Sequence, residues 1–91
     1  MRRPVSVRVD LEVDVAYVGY RRLADEEHIA RSERISEDVV VDYDAAGEIV
    51  GLELLGLDEL ALKPAREFAS RRDLAFPADA LTLFCRANAR T

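Results

Sequence analysis

The sequence predicts an α+β domain: a small antiparallel sheet of four to five strands within residues 1–56, then one or two helices within 57–91 packed on one face of it. Three observations carry this. Residues 5–15 alternate strictly, with Val5, Val7, Val9, Leu11, Val13 and Val15 on one parity and Ser6, Arg8, Asp10, Glu12 and Asp14 on the other. Two β-branched runs, 39–43 and 48–55, flank the short segment Asp44-Ala45-Ala46-Gly47. After Gly56 the apolar period changes from two to that of a helix.

The elements follow in order. Eleven alternating residues are too many for one strand of the usual ~5–6 residues, and three acids on one parity suit a turn, so the run breaks near 10–14. The valine parity of the first strand is expected to face the core. A second strand is expected over 15–22, carrying Tyr17 and Tyr20. Residues 23–27 form a polar connection, and 28–35 form an edge strand whose Arg31, Glu33 and Arg34 discourage open-edge pairing. The hairpin comes next. Gly47 stands where a left-handed residue is required, which only Gly adopts without steric cost, and Gly51 permits close approach of a neighbour. Val50, Leu52 and Leu54 share a parity.

In the helical part, Leu57, Leu60, Ala61, Ala65, Phe68 and Ala69 fall at helical spacing. Asp58 is placed to cap, and Glu59 sits in the first turn, where the helix dipole favours negative charge. Pro64 is expected to divide this stretch into a helical turn at 58–62 and a main helix from Pro64 to about Arg72. Residues 74–90 fit a second helix beginning at Pro77, with Leu81, Phe84, Cys85 and Asn88 on one face. Residues 81–85 alone also fit a strand, and helix is the reading adopted.

Length and composition bound the function. Ninety-one residues, 49% hydrophobic and 34% charged, make a single domain with a small core, for which oligomerisation is a common supplement. No run approaches the ~18 apolar residues of a membrane span, and the basic start Met1-Arg2-Arg3-Pro4 leads into alternation rather than an apolar run. The expected location is therefore cytoplasmic, without membrane contact. Cys85 is the only cysteine, which excludes an internal disulfide and a multi-cysteine zinc site. Residues 1–59 hold fifteen Asp/Glu against seven Arg, a net of −8, and residues 60–91 hold six Lys/Arg against three Asp/Glu, a net of +3. An acidic half argues against duplex nucleic acid as partner, because binding there rests on cations neutralising phosphates. Arg66, Arg71, Arg72, Arg86 and Arg90 read as a solvated helix face.

Little catalytic equipment is present. From Asp42 to Glu53 the acids, Gly47 and Ile49 overlap an EF-hand loop, but Ala46 lacks a ligand oxygen and the flanks are strands where that motif has helices, so a hairpin is expected. His28 has no second ligand at metal spacing. Cys85 reads as a core residue without a base to activate it. Asp10, Glu12 and Asp14 fall on the wet parity, where carboxylates keep ordinary acidity. No catalytic residue, metal or cofactor is expected.

Val9 to Val18, with its acidic turn and Tyr17, followed by Asp42-Tyr43-Asp44 and the stretch from Gly47 through Gly51 to Glu53, resembles the small bacterial family of unknown function DUF2283. Asp10, Asp14, Tyr17, Asp42, Asp44, Gly47, Gly51 and Glu53 match its pattern. The usual Tyr before Asp10 is Val9, and the usual Pro after it is Leu11. The resemblance covers residues 5–55. It implies a small antiparallel sheet with helical material on one face, and an antitoxin-like role beside small ribonuclease-like proteins.

Three functions follow as expectations. The first is a non-catalytic interaction module that self-associates, a dimer as first guess, with Tyr17, Tyr20, Leu83 and Phe84 as exposed contacts. The second is an antitoxin-like partner whose acids complement a small basic ribonuclease-like protein. The third is a metal binder or metal-dependent hydrolase using Asp10, Asp14, Asp42 and Asp44.

Overall fold

A computed structural model of the chain describes residues 1–82. The expected α+β architecture is present: five strands form one antiparallel sheet, and helical segments follow it. The strands are β1 (Ser6–Asp10), β2 (Val15–Gly19), β3 (Arg31–Ser36), β4 (Val39–Tyr43) and β5 (Ile49–Leu54), in the spatial order β1-β2-β5-β4-β3. The long alternating run breaks where the acids predicted, with Glu12 N–H donating to the Asp10 carboxylate at 3.0 Å and Asp14 at φ 54°. β2 is shorter than the expected 15–22, and the edge strand begins at Arg31 rather than His28. At the hairpin between β4 and β5, Gly47 has φ +83°, as its position required.

α1 (Glu59–Arg71) is one helix, and Pro64 lies inside it rather than at its start. The helix is already established before the proline. Asp58 caps it, accepting from Leu60 N–H on its side chain and from the amides of Ala61 and Leu62 on its carbonyl. Pro64 therefore forfeits only the bond to the Leu60 carbonyl. Leu60 is 74% exposed, on the side where water can take that bond. The buried stripe Ala61, Leu62, Ala65, Phe68 and Ala69 runs across the proline without interruption. The helix ends with Asp73 at φ 57° while Leu74 N–H returns to Ala69 O at 2.9 Å, a left-handed cap built on Asp where Gly is usual. Residues 78–82 are helical, as expected after Pro77, and Leu81 is fully buried.

α1 lies over β3, β4 and β5. Its apolar stripe meets Val39, Val41 and Tyr43 of β4 and Leu52 and Leu54 of β5, with Ala16 and Val18 of β2 completing the layer. The segment after the helix joins the same core through Leu74 and Leu81, and Arg2 ties in by giving its N–H to Asp73 O and accepting from Ala75 N–H. The guanidinium of Arg2 also donates to the carbonyls of Tyr20 and Ile49. β1 lies beyond this cover. Val9 packs partly against the core, but Val5 and Val7, expected inside, are 42% and 40% exposed. A bulge at Val50, which the pairing of β4 with β5 skips, also breaks the shared parity of Val50, Leu52 and Leu54.

Candidate functional site

The face of the sheet opposite the helix gathers part of the matched pattern. Gly51 of β5 has no side chain, and the Tyr17 ring of β2 occupies the space above it; a methyl group built there would overlap the ring. From this position the Tyr17 hydroxyl donates to the Asp42 carboxylate at 3.2 Å, and Ser32 Oγ donates to the other oxygen of Asp42 at 2.6 Å. Arg8 lies 5.4 Å from the ring centroid, a cation–π contact, and Glu53 stands directly across from Tyr17 in the strand register. Burial, the Asp42 charge and the hydrogen bond all push the Tyr17 phenol well above its ordinary acidity constant. Tyr17, Asp42, Gly51 and Glu53 thus form one cluster.

The remaining matched positions build turns. Asp44 is buried, 7% exposed, and its carboxylate accepts from the amides of Ala46 and Glu48 at 2.9 Å each. Arg21 Nε lies 3.2 Å from the same carboxylate, and its other nitrogens engage Glu27. Hydrogen bonds from Arg21 and from Ala24 N–H hold Glu27 below the usual carboxylate range. Asp44 and Gly47 therefore fix the β4–β5 hairpin, while Asp10 and Asp14 shape the β1–β2 turn. The strand register puts these two turns at opposite ends of the sheet. Among the described residues no group of three His, Cys, Asp or Glu side chains is placed to hold a metal ion.

Of the expected contact residues, Tyr17 is half-buried on the open face. Tyr20 is not exposed: it is 4% accessible in the core, and its hydroxyl donates to Ala75 O at 2.8 Å. Its even parity with Ala16 and Val18 was the signal for burial. Burial pushes its phenol up to about 12, against the lowering effect of Arg2. Leu83 and Phe84 lie outside the described residues, as does Cys85. Sequence reasoning did not single out Val5 and Val7, because their strict alternation marks a buried face and nothing in it reveals how far the helix reaches. A groove of about 430 Å³ on the open face is lined by Ser6, Arg8, Tyr17, Gly19 and Asp42, among others.

No helix among the described residues is long and apolar enough to cross a membrane. No curated protein and no solved structure matches the sequence. Residues 6–57, the whole of the sheet and the turn into α1, match a family model, and the chain belongs to that family, described as protein of unknown function (DUF2283).

Proposed function

We propose that this protein is a non-catalytic cytoplasmic interaction module that self-associates. The observation that supports it is the uncovered apolar row of β1: Val7 sits opposite Val18, which is fully buried, yet is itself 40% exposed. The apolar layer of the core thus runs to the sheet edge, and none of the described residues covers it there. Leu11 and Val13, in the adjoining turn, are exposed as well. Contiguous apolar surface beside an open edge strand is what association buries. Size-exclusion chromatography with light scattering should give a mass above one chain at tens of micromolar, and a strictly monomeric species sinks the reading.

A second reading, an antitoxin-like partner of a small basic protein, is favoured by the same turn. Asp10 and Glu12 are exposed there, alternating with Leu11 and Val13, a mixture of charge and apolar contact suited to a basic surface. The test is a neighbouring gene for a small basic protein, whose product should bind with an association rate that falls steeply with salt. Absence of such a gene, or salt-independent association, removes it.

A further inference from the structure

The two edges of the sheet are not alike. β3 carries Arg31, Glu33 and Arg34; Arg31 pairs with Glu33 at 3.0 Å, Arg34 donates to Glu37 O, and the strand is irregular between Arg34 and Ser36. Charge and irregularity on an edge strand oppose addition of another strand. β1 has no Pro or Lys, pairs regularly with β2 over all five of its residues, and its one cation, Arg8, stacks on Tyr17. No described residue pairs with its outer side.

We infer that β1 pairs antiparallel with β1 of a second copy about a two-fold axis through Val7, making one ten-stranded sheet with both helices on the same side. This rests on the self-association reading and specifies its contact. In an isologous strand pair only the residue on the axis meets its own copy, and facing residues point to the same side of the sheet. An axis through Val7 sets Val5 against Val9, Val7 against Val7 and Arg8 against Ser6, so the apolar row is continuous and no like charges meet. An axis through Arg8 also keeps valine against valine, but it sets guanidinium opposite guanidinium. An axis through Val9 would pair Arg8 with Asp10 but set Val7 against Leu11, in the turn where the chain leaves the sheet, whereas the Val7 axis calls on Val5, just outside β1, whose N–H still donates to Gly19 O. The row is its own complement. A second copy is therefore the occupant that matches it in length, polarity and face.

The test uses the full chain. Sedimentation velocity should show a dimer for the wild type, and Val7→Lys should raise the dissociation constant at least about tenfold, by setting two ammonium groups opposite each other in place of two valines. Because Val7 is already part-exposed in the single chain, circular dichroism should show the variant folded. In a Cys85→Ser background, Val7→Cys should cross-link on mild oxidation, since facing cross-strand residues lie within disulfide reach, while Arg8→Cys and Val9→Cys should not. A dimer that survives Val7→Lys overturns this contact and leaves the self-association reading standing. A monomeric wild type overturns both. Cross-linking through Arg8→Cys or Val9→Cys overturns the register.

Discussion

At Gly51 the Tyr17 ring fills the place of a side chain, and this close approach holds β2 to β5 on the open face. Gly51→Ala forces the ring aside and should cost about 1–3 kcal/mol in urea unfolding. The same substitution made in Tyr17→Ala should cost far less, because the obstacle is gone; an equal cost in both backgrounds contradicts the ring as the cause. The buried phenols give a second expectation. Tyr17 and Tyr20 both have raised constants when folded, and the ordinary value is 10.0. Their contribution is full below pH 10 and is lost as pH rises from there through about 12, where Tyr20 ionises in the fold. The urea midpoint should hold steady up to pH 10 and fall above it, and Tyr17→Phe combined with Tyr20→Phe should flatten that fall. A decline unchanged in the double variant assigns it to other groups.

Within α1, Pro64 is the residue that local preference disfavours and the tertiary structure tolerates. Pro in a helix interior is about 3 kcal/mol worse than Ala, while it gains about 0.4–1 kcal/mol by restricting the unfolded chain. Pro64→Ala should therefore stabilise the fold by about 2–2.6 kcal/mol in thermal and urea unfolding. A destabilised variant would show that packing of the proline ring outweighs the recovered hydrogen bond. The start of the helix was legible in Asp58 and Glu59, and the hairpin in Gly47. The bulge at Val50 and the left-handed cap at Asp73 were not, because both depend on pairing and packing that no local pattern encodes. Asp42 was legible as a matched position, but its two donors come from β2 and β3, so the cluster exists only once the strands are assembled.

For the whole molecule, alternation in the sequence tells which side chains share a face, whereas coverage of that face depends on where a helix of thirteen residues is laid across five strands. It lies over β3, β4 and β5, so β1 keeps a core-type row at the surface. If two copies bury that row, the midpoint of thermal unfolding should rise with protein concentration, and Val7→Lys should abolish the dependence. A midpoint independent of concentration for the wild type counts against association. The strand order also sets the sequence of assembly. β1 with β2, and β3 with β4 and β5, are neighbours along the chain, whereas β2 with β5 joins Ala16 to Leu54. Two locally formed pieces must therefore meet along one distant seam, and the entropy of closing the intervening loop falls on that step. Gly51 lies in the seam and Pro64 outside it. We expect Gly51→Ala to slow refolding and Pro64→Ala to act mainly on unfolding in stopped-flow kinetics; a Gly51→Ala effect confined to the unfolding limb would place closure of the seam after the barrier.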